Sequence, residues 1–309
     1  MDHFADGLTA AIRAKGNAVC VGLDPRWESL PVELRSRHGD GTLTAVADAF
    51  EEFCCRIIDV VAPLVAVVKP QVAFFEACGP AGMRALQRVL QRARQRGLIT
   101  ILDGKRNDIA STAAAYADAA FGGIQVGERR HGGWDADAVT VNPYLGRDSV
   151  EPFLESARRL GRGVFVLVRT SNPGAGQFQD LVCDGRPLYL HVADAVGAWS
   201  KENLGKSGFG DVGAVVGATQ PAELAAIRQV LPHCFFLVPG FGAQGAGAAE
   251  TAPVFRDDGL GAIVNSSRAI IFAFASTAGR WETAVESATR ETIRLLAAAT
   301  SMGSLTVSK

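Results

Sequence analysis

The stretch LITILDGKRNDIAST, residues 98–112, begins as a buried strand and ends in charged residues. Its first five residues are apolar or β-branched, which is typical of a strand. Asp103 then ends the run, and Lys105 and Asp108 follow within the next five residues. The fold has to explain why a carboxylate, an ammonium and a second carboxylate lie at the end of a core strand.

Runs of the same kind recur along the chain, and each of them ends in polar or glycine-containing residues. They are AVCVGLDP (18–25), LVAVVKP (64–70), LITILDGK (98–105), AVTVNPY (138–144), GVFVLVRT (163–170), VGAVVGA (212–218), CFFLVPG (234–240) and GAIVNSSR (261–268). Continuous apolar runs, rather than alternating ones, indicate a parallel sheet that is covered on its outer face.

Helical patterns lie between these runs, for example in residues 43–64, 80–97 and 221–231. The second segment places apolar side chains on one face at helical spacing. A row of arginines runs along another face: Arg84, Arg88, Arg92 and Arg96. In a nearly neutral chain this row indicates a solvated outer face rather than a binding patch.

Eight strand–helix units in one series predict an α/β fold, a single (β/α)8 TIM barrel with an N-terminal helix and extended loops. The domain is expected to span residues 1–309, with the barrel proper at roughly 18–298. A doubly wound open sheet is the alternative, but the first strand lacks the GxGxxG turn of a dinucleotide fold. The tail TSMGSLTVSK (300–309) is expected to be frayed.

Composition excludes several classes of protein. The chain has 309 residues, 48% hydrophobic and 20% charged, with a formal net charge of −1. This charge argues against nucleic-acid partners and against an anionic membrane surface. The six cysteines lack a CxxC pair or framework spacing, and the five histidines show no zinc motif, so buried free thiols and no metal are expected. No signal peptide or membrane span is predicted, which indicates a cytoplasmic protein.

In a TIM barrel the active groups gather at the C-terminal ends of the strands. The candidates at these ends are Asp24, Lys69, Asp103, Lys105, Asp108, Ser171, Gln244 and Arg268. Taken singly, each has a structural explanation: Asp24 as a turn residue before proline, Asp108 as a helix cap, Lys69 as a solvated strand end. Together at one rim they are hard to assign to turns.

The last two strands suggest a phosphate site. The loop GFGAQGAG (240–247) is rich in glycine and can turn backbone N–H groups toward an anion, and Arg268 supplies a permanent cation. The loops after strands 7 and 8 are the usual phosphate site of this fold. A flexible turn and a rim arginine would explain either feature alone, but the pair favours phosphate.

The spacing Asp-x-Lys-x-x-Asp restricts the chemistry of Lys105. A Schiff-base lysine must be neutral, whereas flanking carboxylates hold the amine as an ammonium. Lys105 is therefore better suited to donate a proton. Alternating charges from Lys69, Asp103, Lys105 and Asp108 would disfavour a bound carboxylate and stabilise charge developing on carbon. A decarboxylation without a cofactor requires these properties.

The chain resembles the orotidine 5'-monophosphate decarboxylase family, in its longer bacterial-type branch. The motifs that carry the resemblance are VGLDP, VVKPQ, DGKRNDIAST, RTSNPG, PGFGAQGA and the strand-8 arginine, in this order over roughly residues 10–298. The strand-3 signature occurs in related sugar-phosphate enzymes too, but the full series is much more specific. The resemblance implies decarboxylation of orotidine 5'-monophosphate to uridine 5'-monophosphate without a metal or an organic cofactor.

The resemblance also implies a role for each candidate. Asp24 and Lys69 would hold the ribose hydroxyls, Asp103 would face the substrate carboxylate, and Lys105 would protonate C6. Asp108 and Thr112 would reach into the site of a partner subunit, which implies a homodimer. Ser171 would bind the pyrimidine amide. Gln244 and Arg268 would bind the 5'-phosphate.

Three features depart from the family pattern. The connections 113–137 and 171–211 are longer than a helix and a turn need, and the pattern leaves open whether Gln177 or Gln179 joins a lid. Strand 8 reads NSSRAI, where a glycine commonly precedes the arginine, although the backbone N–H of Ser267 can still face phosphate.

Two other functions compete with this one. A metal-dependent sugar-phosphate decarboxylase or lyase on the same barrel would carry an acidic metal ligand near the end of strand 2, where this chain has Lys69. A non-catalytic phosphate-binding barrel would be expected to have lost Lys105 or one of its carboxylates, and this chain keeps them all.

Overall fold

The computed structural model describes residues 3–218, 221–241, 247–276 and 279–306. Within these ranges eight parallel strands form a closed barrel in sequence order, and the last strand pairs with the first. The strands are β1 (Val19–Leu23), β2 (Val67–Pro70), β3 (Ile99–Arg106), β4 (Ala138–Val141), β5 (Gly163–Arg169), β6 (Val212–Val216), β7 (Phe236–Val238) and β8 (Ala262–Ser266). The predicted barrel is confirmed, and the open doubly wound sheet is excluded.

Helices surround the barrel and connect its strands. Those of the described residues are α1 (Phe4–Lys15), α2 (Val32–Arg37), α3 (Leu43–Val61), α4 (Val72–Glu76), α5 (Gly79–Gln95), α6 (Ala110–Ala117), α7 (Arg147–Leu160), α8 (Gly176–Gln179), α9 (Leu188–Lys201), α10 (Pro221–Val230), α11 (Arg268–Ile271) and α12 (Trp281–Ala299). No helix in the described ranges combines the length and the apolar character that crossing a bilayer requires.

The two long connections each contain a short antiparallel hairpin. Ile124–Val126 pairs with Arg129–His131 in the first, and Val182–Cys183 pairs with Arg186–Pro187 in the second. A π-helical turn, Asp118–Gly122, joins α6 to the first hairpin. The extra length of these connections therefore forms small elements outside the barrel.

The arginine row of α5 lies on the outside of the barrel, as the sequence predicted. Arg88 forms an ion pair with Glu51 of α3 at 2.5 Å. Arg92 and Arg96 both pair with Asp59 of the same helix, at 2.6 and 2.7 Å. These side chains are partly exposed, so each pair adds little stability and serves mainly to register α5 on α3.

Helix α1 closes the N-terminal end of the barrel. Its Leu8 and Ile12 are fully buried, and the ring of Phe4 meets Phe165 edge-on at 6.1 Å. Gly163 at the start of β5 makes room for this ring, because a Cβ there would lie 2.3 Å from it. With this end plugged, the C-terminal end of the barrel is left for the site.

The expectation of a frayed tail is wrong for residues 301–305. Ser301–Thr306 forms a 3-10 turn in which Met302 is fully buried. The backbone N–H of Ala18 donates to Met302 Sδ at 3.2 Å, next to the start of β1. Two apolar side chains, Met302 and Leu305, anchor the segment, since burying them offsets the entropy of ordering a short turn.

All six cysteines are free, and most of them are buried as expected. Cys20, Cys54, Cys78 and Cys234 lie in the core. Cys183 departs from the expectation, because it is exposed on the second hairpin.

Candidate active site

The C-terminal ends of β2 and β3 bring three of the predicted charged residues together. Lys69 Nζ lies 2.5 Å from Asp103 Oδ2, and Lys105 Nζ lies 2.7 Å from Asp103 Oδ1. Side chains two residues apart on a strand face the same side, so the Asp-x-Lys spacing places carboxylate and ammonium next to each other. The two lysines therefore hold one carboxylate between them.

Two neutral side chains complete the donors around Asp103. Gln71 Nε2 donates to Oδ2 at 3.1 Å, and Thr140 Oγ1 donates to Oδ1 at 2.9 Å. Each carboxylate oxygen thus accepts two hydrogen bonds, which matches the four lone-pair sites of the group. A carboxylate with all its acceptor sites used cannot easily turn.

Burial and charge act in opposite directions on the pKa of Asp103. Burial raises it, but the ammonium groups of Lys69 and then Lys105 lower it, and the pKa lies well below its usual range. For Lys69, burial lowers the pKa, while the carboxylates of Asp103 and Asp24 raise it, and the result lies above the usual range. Both groups therefore stay charged at neutral pH although their side chains are only 7% and 6% exposed.

The backbone at Lys105 is unusual for a strand. Its φ is +43°, in the left-handed region, and the register between β3 and β4 shifts between Leu102 and Arg106. This conformation costs a non-glycine residue roughly 1 kcal/mol. The N–H of Lys105 donates to Thr140 Oγ1 at 2.9 Å, which helps to hold it there. Such conformations concentrate at functional sites.

Lys69, Asp103 and Lys105 form a charged cluster. Asp24, just beyond β1, lies near this cluster. Its charge raises the pKa of Lys69. Its Oδ1 is buried and accepts no hydrogen bond from the described residues. The Oδ1 of Asn265, on the neighbouring strand β8, is buried and equally without a donor in the described ranges. Two buried acceptors at this end of the barrel suit a ligand that carries hydroxyl groups.

Asp108 and Thr112 do not join the cluster within one chain. Asp108 is half-buried, and its Oδ1 accepts the N–H of Ile109 at 2.8 Å, a local turn contact. Thr112 is exposed in the first turn of α6. Neither forms a hydrogen bond or ion pair with Asp103 or Lys105 among the contacts of the described residues.

Ser171 follows β5 and packs against the end of β6. A Cβ on Gly217 would lie 2.8 Å from Ser171 Cβ, so only glycine permits this approach. Gln179 holds the same strand end from α8: its Oε1 accepts the N–H of Thr170 at 3.0 Å and its Nε2 donates to Thr170 Oγ1 at 2.8 Å. Gln177 is exposed. Gln179 is thus bound to the strand end.

Arg268 is exposed at the first position of α11 and has no ion-pair partner among the described residues. Ser267, which stands where a glycine is common, donates from Oγ to the carbonyl of Gly22 at 3.2 Å. A Cβ on Gly22 would lie 2.7 Å from Ser267 Cβ, so the glycine on β1 gives the serine its space. Gln244 lies outside the described residues, together with most of its glycine-rich loop.

The described ranges contain no group of three or more histidine, cysteine, aspartate or glutamate side chains arranged to hold a metal ion. At the end of β2, where a metal-dependent relative would need an acidic ligand, the buried ammonium of Lys69 contacts Asp103 instead.

Sequence reasoning missed Gln71, Thr140 and Asn265. Gln71 follows Lys69 by two residues, and side chains two residues apart on a strand point to the same face of the sheet. Thr140 is the one polar residue within the buried run of β4, and Asn265 interrupts the apolar run of β8. A polar residue in a strand that is buried on both faces is the signal that could have identified them.

Comparison with known proteins adds an independent observation. Residues 17–278 match the family model described as orotidine 5'-phosphate decarboxylase / HUMPS family. The orotidine 5'-phosphate decarboxylase of Rhodopirellula baltica is 52% identical over 296 residues, covering 94% of this chain and 97% of that protein. The enzyme of the same name from Caldicellulosiruptor bescii is 42% identical over 278 residues, covering 89% and 91%.

Solved structures agree with this similarity. The structure of Leishmania donovani OMP decarboxylase superposes with a TM-score of 0.73 at 35% identity, covering 96% of this chain and 98% of that one.

Proposed function

Because the chain belongs to the orotidine 5'-phosphate decarboxylase / HUMPS family and is a carboxy-lyase that forms uridine 5'-monophosphate in pyrimidine synthesis, we propose that Lys69, Asp103 and Lys105 form its reacting centre. The observation that carries this proposal is the single buried carboxylate held between two ammonium groups. Charged nucleotides do not cross a bilayer unaided, so we place the enzyme in the cytoplasm with its substrate.

The fixed charge of Asp103 drives the first step. The orotate carboxylate binds beside Asp103, and two carboxylates at close range repel each other, which destabilises the bound substrate. This repulsion disappears when the C6–carboxylate bond breaks and neutral CO2 leaves. The bonding electron pair stays on C6, where the ammonium of Lys105 stabilises the developing negative charge.

Lys105 completes the reaction by proton transfer. Its Nζ gives one proton to C6, which yields uridine 5'-monophosphate and a neutral amine that regains a proton from water. No electrons are gained or lost, so no redox cofactor takes part. We propose that the ammonium groups supply the charge stabilisation that a metal ion supplies in other lyases, and that the enzyme needs neither metal nor organic cofactor.

The other rim residues would position the nucleotide. The buried, unpaired Oδ1 of Asp24 is suited to accept a ribose hydroxyl, with Lys69 donating to the same ribose. Ser171 would bind the pyrimidine amide. Arg268, which is exposed and not engaged by a described carboxylate, would bind the 5'-phosphate together with Gln244.

We also propose that the enzyme is a homodimer whose subunits share sites. Asp108 and Thr112 form no hydrogen bond or ion pair with the cluster among the described residues, yet they follow β3 at the same rim. Two large apolar residues that follow β3 and β4, Ile109 and Tyr144, are 57% and 78% exposed. A second copy covering this rim would bury them and bring Asp108 of the partner subunit to the cluster.

Mixing two inactive variants tests the shared sites. Lys105→Ala and Asp108→Ala homodimers are each expected to be nearly inactive. In a mixed dimer, one of the two sites has both native residues. Equal amounts that exchange freely should therefore recover roughly a quarter of wild-type turnover, because half of the dimers are mixed and each has one intact site.

The control for this prediction follows exchange directly: one variant carries an affinity tag, and recovery of the untagged variant together with it shows that mixed dimers form. Should the two variants exchange and still give no turnover, Asp108 acts in its own subunit and the proposal of shared sites fails.

The proposed reaction is tested by ultraviolet assay of the purified protein with orotidine 5'-monophosphate and excess EDTA. Conversion to uridine 5'-monophosphate at a rate that EDTA does not change is expected. Loss of turnover in EDTA with recovery in Mg²⁺ would show that a metal takes part. Absence of turnover by folded protein in both conditions would contradict the activity itself.

A further inference from the structure

Thr140 contacts both central residues of the cluster with a single oxygen. Its Oγ1 donates to Asp103 Oδ1 at 2.9 Å and accepts the backbone N–H of Lys105 at 2.9 Å. Thr140 lies within β4, next to β3, and only 1% of its surface is exposed. The side chain therefore lies beneath the cluster, shielded from solvent.

The hydroxyl has no alternative arrangement in this position. A hydroxyl group carries one proton and can accept through its lone pairs. The carboxylate can only accept and the backbone N–H can only donate, so the proton must point to Asp103 and a lone pair to Lys105. In addition, the stiff χ1 of a β-branched residue limits rotation. One oxygen thus links the carboxylate to the backbone of the lysine two residues further on.

We propose that Thr140 is a positioning residue that holds Lys105 and Asp103 in their reactive arrangement. It acts in two ways: it holds the left-handed backbone of Lys105, from which the ammonium is aimed, and it prevents rotation of the Asp103 carboxylate. This inference rests on the proposed roles of those two residues. Thr140 itself exchanges no proton with substrate.

The chain contains a matched control in Thr100. This residue is also 1% exposed, and its Oγ1 donates to Asp137 Oδ2 at 2.9 Å while accepting the N–H of Asp137 at 3.1 Å. It lies near the start of β3, toward the opposite end of the barrel. Thr100→Val therefore removes the same pair of hydrogen bonds without touching the cluster.

The experiment compares Thr140→Val, Thr140→Ser, Thr140→Ala and Thr100→Val in kcat, KM and melting temperature. Thr140→Val should lower kcat by about 10- to 100-fold, the effect of losing one hydrogen bond to a charged group, with little change in KM. Thr140→Ser keeps the hydroxyl and should retain most of kcat. Thr100→Val should melt earlier than wild type but keep wild-type kcat.

A second measurement follows the proton directly. Wild-type enzyme in D2O should exchange the C6 hydrogen of uridine 5'-monophosphate, because protonation by Lys105 is reversible. Thr140→Val should slow this exchange in parallel with kcat. A purely structural threonine would lower the melting temperature and leave exchange per folded molecule unchanged.

Several results would overturn the inference: a folded Thr140→Val with wild-type kcat, an equal loss of kcat in Thr100→Val, or a Thr140→Ser as slow as Thr140→Ala. If the valine variant does not fold, the serine and alanine variants decide, since they differ only in the hydroxyl. Wild-type turnover separates the two hypotheses: without it the proposed function fails as well, and with it only the role of Thr140 is in question.

Discussion

Lys105→Ala is expected to lower kcat by about 10⁴-fold, because the variant loses both the proton donor and the cation that faces the developing carbanion. The side chain is 44% exposed, so its removal creates little cavity and the barrel should stay folded. Steady-state turnover of orotidine 5'-monophosphate, with circular dichroism as the test of folding, measures this effect.

Two further variants show what is lost. Lys105→Arg keeps a positive charge but holds its proton far more tightly, so it should remain slow if proton transfer matters. Lys201→Ala removes an exposed lysine at the end of α9, away from the rim, and should be fully active. Turnover of Lys105→Ala within about tenfold of wild type would remove Lys105 from the role of proton donor.

The fold was predictable because a closed parallel barrel leaves a strong pattern. Each strand is buried on both sides, so eight continuous apolar runs identify eight strands. The strand ends were predicted less accurately. The run 234–240 became the shorter β7, Phe236–Val238, since Cys234 and Phe235 are buried without belonging to the strand ladder. A run of apolar residues shows which residues are buried, but it does not show which of them form the hydrogen bonds of the sheet.

The charged cluster was predictable for a different reason. A TIM barrel gathers its strand ends at one rim, so Lys69 and Asp103 could be placed together before any coordinates. Thr140 could not, because threonine is common in strands and its special role depends on the shifted register between β3 and β4. The proposed place of Asp108 in the site of a partner subunit involves contacts between two chains, which the pattern of one sequence does not describe.

Asp103→Asn is expected to lower kcat by about 10³-fold without weakening substrate binding. The amide cannot repel the substrate carboxylate, so the bound substrate is no longer destabilised and KM should stay the same or fall. A fall in kcat together with a fall in KM is the kinetic signature of lost ground-state destabilisation. Titration of uridine 5'-monophosphate, which has no carboxylate, gives the reference affinity.

The same change should also destabilise the protein. It leaves the ammonium of Lys69 buried without its main counter-charge, at a cost of about 3–5 kcal/mol in the free energy of unfolding. The pKa of Asp103 is lower in the folded state than in the unfolded state, so its ionised carboxylate stabilises the folded protein. This contribution to the free energy of unfolding is complete above the unfolded pKa of about 4 and is lost as pH falls toward the folded pKa. The stability difference between wild type and variant should therefore be constant near neutral pH and shrink below about pH 4.

A buried carboxylate away from the rim separates stability from catalysis. Asp211, just before β6, is 3% exposed and pairs with Arg158 at 3.3 Å. Asp211→Ala removes the acceptor of Arg158 and Asn203, so it should lower the free energy of unfolding and leave kcat and KM at wild-type values. If Asp103→Asn instead raised KM and kept kcat, Asp103 would be a binding residue. The repulsion between the two carboxylates would then have no part in the reaction, since its removal should lower kcat and never weaken binding.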